Sequence, residues 1–252
     1  MAFADPLLRK RKRAGKVKIL DAGCGPGNLI ARLIRWGDVV GTDASADALT
    51  FCQQKHAVPV IQTLIKDMPF ADNTFDFIFA LEVIEHIEDD IEAMRELYRI
   101  LKPNGFLITT VPAFMFLWGY HDEKYGHFRR YTKPSFCRLA VQAGFKVKKS
   151  RYFKILFFLP LLFIRKFKTY TSQKNDDFYQ ISPFVNWIFR QLIKAEIPIV
   201  SAIDLPLGVS LIVSVQRGQQ CGKVKTWKKS NYWQQTQLTQ KTGNRPQQVS
   251  KS

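Results

Sequence analysis

Read for the spacing of its apolar positions, the chain alternates short apolar runs with amphipathic stretches over most of its length. VKILDAG (17–23) is a buried strand ending at glycines, and NLIARLIRWG (28–37) has helical spacing closed by Gly37. DVVGTDA (38–44) is a second strand, followed by SADALTFCQQKH (45–56), a helix capped by Ser45. VPVIQT (58–63) and TFDFIFALEVI (74–84) are strands three and four. EDDIEAMRELYRIL (88–101) is an amphipathic helix with acids in its first turn, where the helix dipole favours them. KPNG (102–105) predicts a turn, GFLITTVPA (105–113) a fifth strand and KPSFCRLAVQAG (133–144) a helix. FKVKKSRYF (145–153) and GVSLIVSVQ (208–216) complete seven strands.

This alternation predicts an α/β fold: a doubly wound, mainly parallel seven-stranded sheet with helices on both faces and ligands beyond the carboxyl ends of the strands. The folded domain is expected over 17–217, after a basic segment at 1–16. An apolar and basic insertion occupies 153–198, before the last strand. Residues 218–252, rich in Gln, Lys, Ser and Thr, hold too few aliphatics to offset their ordering entropy and are expected to be disordered.

Composition adds a setting. With 252 residues, 46% of them hydrophobic, the chain can bury one large core. Cys24, Cys52, Cys137 and Cys221 form no CxxC pair, which argues against structural zinc and disulfides and for a reducing, cytoplasmic environment. The net charge of +17 is unevenly placed: acids outnumber bases over 19–144, whereas both ends and 145–217 are basic. Such a fringe solubilises the protein or draws it to a polyanionic surface, either nucleic acid or anionic lipid. No signal peptide is read, because no apolar run follows RKRKR (9–13). ILFFLPLLFI (155–164), bordered by Lys154, Arg165 and Lys166, is shorter than the ~20 residues of a bilayer span. With FVNWIFRQLIK (184–194) it fits an interfacial helix pair at the inner face of a membrane, or equally a hairpin over the active site or at a dimer interface.

The most specific chemistry lies in LDAGCGPGNL. Glycines between a strand and a helix let the backbone approach a ligand closely. The spacing is GxGxG, with Asn28 where a dinucleotide fingerprint would place glycine. Asp21 would repel a pyrophosphate but can hold a cationic amino-acid moiety. Asp43, twenty positions after Gly23, can accept hydrogen bonds from both hydroxyls of a ribose. Asp67, followed by Met68, is placed for an adenine amino group.

These segments, ILDAGCGPG, VGTDAS and KDMPFADNTFDFIFALEVIEHIED, resemble the class I S-adenosylmethionine-dependent methyltransferases of types 11 and 23, over 17–150 and again over 205–217. The resemblance implies a Rossmann-like fold with S-adenosyl-L-methionine as cofactor. Gly23, Gly25 and Gly27 would form its loop, Asp43 bind the ribose, Asp67 and Met68 the adenine, and Leu81 and Glu82 face the sulfonium. The family usually carries one or two helices before the first strand. Here only MAFADPLLRKRKRAGK precedes it, so a truncated start or a reduced cap over a more open pocket is expected.

For the acceptor, no Asn or Asp followed by Pro-Pro and an aromatic comes after strand four, which disfavours a nucleic-acid base. Glu85 and His86 are candidates near the acceptor, or simply the start of the next helix. FMFLWGYHDEKYGHFRRYT (114–132) packs seven aromatics, two histidines and two arginines into the stretch after strand five, and reads as wall and lid of the acceptor pocket. It resembles the type 23 pattern of a His, a basic residue and an aromatic. His127 is the first catalytic candidate and His121, oriented by Asp122 or Glu123, the second. Tyr120, Arg129, Arg130 and Tyr131 are substrate-binding candidates; the arginines would grip a carboxylate or phosphate, or else pair with the acidic helix at 88–96. A metal centre of His121, Asp122 and His127 matches no known ligand spacing, and none is expected. The function expected is O-methylation of a small or lipid-linked acceptor, such as a quinone precursor or a polyprenyl-linked or cell-surface saccharide. The alternatives are an NAD-dependent oxidoreductase, against which the glycine spacing argues, and a non-catalytic RNA-binding module retaining the fold.

Overall fold

The computed structural model describes residues 4–13, 15–168 and 182–218. The tail expected to be disordered lies, beyond Gly218, outside the described residues, as does the middle of the insertion.

Seven strands form one sheet: β1 Lys18–Ala22, β2 Asp38–Asp43, β3 Val60–Gln62, β4 Phe75–Leu81, β5 Leu101–Pro112, β6 Phe145–Phe153 and β7 Ser210–Arg217, in the order β3-β2-β1-β4-β5-β7-β6. Strands β1 to β5 run parallel, and β7 inserts antiparallel between β5 and β6. The helices are α1 Asp5–Lys12, α2 Ile30–Leu33, α3 Ala46–Lys55, α4 Asp90–Ile100, α5 Tyr120–Lys124, α6 Lys133–Gln142, α7 Phe158–Lys168 and α8 Pro183–Ala202. The doubly wound expectation holds.

Alternation along β4 divides the core. Phe77 and Phe79 face the layer that holds Leu8 of α1, Ile30 and Leu33 of α2, and Leu49 and Cys52 of α3. Ile78 and Ala80 face the opposite layer, with Met94 and Leu97 of α4 and Phe136 of α6. A strand buried on both faces reads as a continuous apolar run, which is why FDFIFAL carries so few polar residues.

Three local expectations are corrected. The helix expected over 28–37 is regular only at Ile30–Leu33, with turns on either side. The KPNG turn is absorbed into β5 as a bulge: Phe75 pairs with Leu101 but Phe77 with Phe106, and Asn104 takes a φ of 62°. Asp76 anchors that bulge, accepting from Lys102 Nζ at 2.8 Å, the Lys18 amide at 3.0 Å and Arg11 Nη2 at 2.9 Å. Burial alone would raise the Asp76 pKa, but these donors hold it below the usual carboxylate range. Strand four ends at Leu81 rather than at 84, because Glu82 enters the left-handed region (φ 55°) and turns its amide to the Thr110 carbonyl. The basic leading segment contains a helix, α1, whose Leu8 is buried in the core.

Candidate functional site

The sheet order reverses at β1, whose neighbours are β2 on one side and β4 on the other. A crevice at the carboxyl ends of the strands is expected where order reverses. There, Gly23 (φ 76°) donates its amide to Thr42 O at 2.7 Å, and a Cβ at that position would run into the Val83 side chain. Gly25 (φ 51°) donates to Asp43 Oδ2 at 2.9 Å, and a Cβ there would meet nothing within 4 Å. Gly27 completes the loop by donating to Cys24 O.

Asp43 also accepts the Ser45 amide through Oδ1 at 2.9 Å, so both oxygens are fixed while each keeps a further lone pair. Asp21 is buried with no partner for Oδ2, and burial, then the nearby Asp43, push its pKa to about 7. A loop open at Gly25, a buried acid short of a donor and a second acid with lone pairs to offer suit a ligand carrying an ammonium group and vicinal hydroxyls. Asp67 ends the single turn after β3 and is exposed, whereas Met68 buries its side chain in the core and leaves its main chain for any ligand contact. Leu81 is half-buried and Glu82 exposed at the end of β4.

On the other side of β4, residues 113–131 form a loop closed at its base by the Ala113–Tyr131 bridge and by Phe114 N–H to Tyr131 O at 3.0 Å. Its hub is Asp122, buried at the loop centre. It accepts from Arg130 Nε at 2.8 Å and Nη2 at 3.0 Å, from the Gly119 amide at 2.9 Å, and meets His127 Nδ1 at 2.9 Å. Burial would raise the Asp122 pKa, but Arg130 above all, then His127 and the Gly119 amide, hold it at about 2. The Phe128 amide donates to Glu85 O at 2.8 Å and docks the loop on the turn after β4. There the His86 and His127 rings meet edge to face at 4.6 Å. Glu85 is fully buried, and burial followed by the Glu82 charge raises its pKa well above the carboxylate range. Burial, then His127, lowers that of His86.

The loop therefore gathers His127, His86 and Glu85, but not every residue expected there. Arg130 is buried against Asp122 and Ala113 O, and Tyr131 is buried with its hydroxyl on Asp90 at 2.8 Å, so these side chains hold the loop together instead of facing a substrate. Arg129 pairs with Asp90 at 3.0 Å and with Glu88 O. His121 is exposed, packs on Tyr125 at 4.4 Å and lies 6.1 Å from the His127 ring; the acid beside it, Asp122, orients His127. Tyr120 is exposed. Reading from sequence missed Asp122 as the hub, although an acid, a His five positions on and an Arg eight positions on was the available signal.

Aromatic rings of this loop pack on one another and on the elements beside it. Phe114 stacks on Phe116 at 5.0 Å and on Tyr152 at 4.8 Å, and both phenylalanines meet Phe158 of α7. Glu196 of α8 accepts the Ile155 amide at 2.8 Å, and Phe189 meets Phe157 at 5.1 Å, which ties α8 to the chain after β6. Leu159, Phe163, Trp187 and Ile199 are exposed along these two helices. Among the described residues, no helix is long and apolar enough to cross a membrane.

A family model described as a methyltransferase domain matches residues 20–109. The uncharacterized protein MJ0638 of Methanocaldococcus jannaschii is 31% identical over 171 residues, covering 65% of this chain and 72% of that protein. The malonyl-[acyl-carrier protein] O-methyltransferase of Enterobacter lignolyticus is 32% identical over 132 residues, covering 48% and 51%. The match spans 38% of an uncharacterized methyltransferase of Schizosaccharomyces pombe and about half of the Enterobacter protein. Among solved structures, a putative methyltransferase of Bacillus halodurans superposes with a TM-score of 0.57 at 21% identity, covering 84% of this chain and 98% of that one, a likeness of fold.

Proposed function

The chain belongs to the class I S-adenosylmethionine-dependent methyltransferases, and from that premise we propose that it methylates a hydroxyl oxygen of a small or lipid-linked acceptor. The observation that carries the reading is the pairing of two sites across β4: a glycine loop with Asp21 and Asp43 on one side, and the His127 loop on the other.

S-adenosylmethionine, when bound, supplies an electrophilic methyl group on a sulfonium. Asp21 would take the ammonium of its amino-acid end, Asp43 its ribose hydroxyls, and Gly25, where a Cβ would meet nothing within 4 Å, the close approach of the chain. Asp67 and the Met68 main chain would border the base, and Leu81 and Glu82 the reactive end. Transfer is an in-line displacement, to which a protein contributes mainly position and, for a hydroxyl, help with the proton. His127 suits that task. Ionised Asp122 can only accept, so Nδ1 carries a hydrogen, and Nε2 is the nitrogen left to help with the acceptor's proton.

Oxygen is favoured as acceptor by the named activity of the Enterobacter relative. A lipid-linked or otherwise apolar acceptor is supported by the aromatic cluster around Phe114, with Phe116 exposed, and by the exposed apolar residues of α7 and α8, which border a basic segment. These same residues support peripheral contact with an anionic membrane. Incubation with methyl-labelled cofactor and extracts split into aqueous and lipid fractions tests the reading. Label transferred to the lipid fraction as an ether supports it. Binding of NAD in preference to S-adenosylhomocysteine in a calorimeter would sink it.

A further inference from the structure

Three side chains converge where the loop after β5 docks on the turn after β4, and a fourth, Glu82, stands beside one of them. One ligand atom each of Glu85, His86 and His127 lies within 4.8 Å of the others, and the Glu82 carboxyl is within hydrogen-bond reach of that of Glu85. We propose that Glu82, Glu85, His86 and His127 form a divalent-cation site, whose ion holds the acceptor through an oxygen and acidifies its hydroxyl. With Nδ1 on Asp122, His127 would spend Nε2 on the ion, which then replaces His127 in helping with the acceptor's proton. The ion's role rests on the methyltransferase reading; its binding does not.

Glu85 gives the first reason. It is 0% exposed, and neither carboxylate oxygen finds a donor beyond the residue's own amide. Beside it stands a second carboxylate. Two such groups repel unless a proton or a cation lies between them, and an unpaired buried charge is among the costliest things a fold can hold.

The histidines give the second. Asp122 fixes His127 through Nδ1 and is itself gripped by buried Arg130, the carboxylate–imidazole arrangement that orients metal-binding histidines and raises their basicity. His86 is held by hydrogen bonds to the main chain of Tyr125 and Gly126. The His127 ring is thus oriented from behind by a group that takes no part in the cluster.

The third reason is backbone strain. Glu82 sits at φ 55°, a conformation that costs a non-glycine residue on the order of 1 kcal/mol or more and concentrates at functional positions. Its amide is tied to Thr110 O, so the strained geometry is enforced by the sheet.

Two imidazole nitrogens and two carboxylates suit Mn²⁺, Fe²⁺, Co²⁺ or Zn²⁺ better than Ca²⁺ or Cu⁺. Bonds of about 2.1 Å place tetrahedral ligand atoms about 3.4 Å apart, so the side chains need to close in by about 1 Å. A five- or six-coordinate ion keeps one or two positions for substrate oxygen. The acceptor class that fits is a hydroxyl with a neighbouring oxygen, such as a catechol or a vicinal diol, which would chelate. An ion in such a site lowers the pKa of a bound water from 15.7 to about 7, and a bound hydroxyl is acidified in the same way. In the balanced step the hydroxyl proton passes to water, the oxygen pair forms the bond to the methyl carbon, and the carbon–sulfur bond breaks. A methyl ether and a neutral thioether result.

The test uses the full chain, free of any polyhistidine tag and stripped with chelator, titrated with MnCl2 and followed by electron paramagnetic resonance of free Mn²⁺ and by calorimetry. One Mn²⁺ per chain is expected, bound about tenfold or more weakly by Glu85→Gln and His86→Asn, and about 10–100-fold more weakly by Asp122→Asn, which reaches the ion through His127 while also loosening the loop it shares with Arg130. Glu85→Gln preserves shape in the core, and the exposed position of His86 keeps the comparison valid if that variant does not fold. No uptake of Mn²⁺ or Zn²⁺ by the wild type, or equal binding by all variants, overturns the site. A parallel titration with S-adenosylhomocysteine separates the two readings. Its binding without metal uptake removes the ion alone, and metal uptake without it removes the methyltransferase reading alone.

Discussion

Replacing Arg130 by Met probes whether the loop over the acceptor side is held by one buried ion pair. The substitution keeps most of the side-chain length but deletes the guanidinium that donates Nε and Nη2 to Asp122 and Nη1 to Ala113 O at 3.1 Å. Asp122, with a side chain 0% exposed, would remain charged without its cation. Breaking such a pair from one side costs about 3–5 kcal/mol, because the desolvated partner is left uncompensated. At about 2–4 °C per kcal/mol for a chain of this size, the midpoint of thermal unfolding should fall by about 6–20 °C. The double variant Asp122→Leu/Arg130→Met removes both charges and should recover at least half of the loss, although His127 then lacks its orienting acid. Differential scanning fluorimetry reads both. S-adenosylhomocysteine affinity should hold in Arg130→Met below its melting range, since Asp43 and Gly25 lie across β4 from the loop. A midpoint within about 2 °C of wild type would refute the claim that this pair organises the loop.

Other perturbations address the cofactor side and the base of the sheet. Asp43→Ala removes the acceptors expected to hold the ribose and should weaken S-adenosylhomocysteine binding about 10–100-fold by calorimetry, the worth of hydrogen bonds to a charged group; unchanged affinity would mean the ribose lies elsewhere. Asp21, with its pKa raised to about 7, must lose a proton to pair with an ammonium, so cofactor affinity should climb as pH rises from 6 toward 8 and level off above, and Asp21→Asn should flatten that profile. The same raised value makes ionised Asp21 a cost to the fold, absent below the unfolded carboxylate pKa and complete above about 7, so Asp21→Asn should be more stable at pH 8, by up to about 4 kcal/mol in urea titrations. Asp76 has the opposite sign: its lowered pKa stabilises the fold above the usual carboxylate range and fades as pH falls through it, so Asp76→Asn should be less stable than wild type at pH 7 and approach it in strong acid. Gly23→Ala should destabilise the protein and impair cofactor binding together, because a Cβ there meets Val83 and the φ of 76° strains any other residue.

Much of this fold was legible because its signals are local. A strand buried on both faces reads as an unbroken apolar run, as in FDFIFAL, and Ser45 and Asp89 announce the helices they cap by accepting the amides of Ala48 and Glu92. The glycine loop and Asp43 were legible for a similar reason: a tight strand-to-helix turn demands those residue types at that spacing, and Asp43 does reach the Gly25 amide. The KPNG stretch was read as a turn and became a bulge because Asp76, far away in sequence, supplies a buried acceptor for Lys102.

What the chain alone determined, then, is the order of strands and helices, the two-sided burial of the sheet and the place of the cofactor loop, all set by period, caps and glycines within a few residues of one another. Tertiary structure decided the partnerships. The arrangement of 113–131 into a closed loop made Asp122 the partner of His127 and Arg130, turned Arg130 and Tyr131 inward, and brought His127 to the point where Glu85 and His86 stand. Such choices depend on which charged group finds which in a water-poor interior, where an unpaired charge is too costly to leave, and the meeting of His127 with His86 is made only when segments about forty residues apart come together.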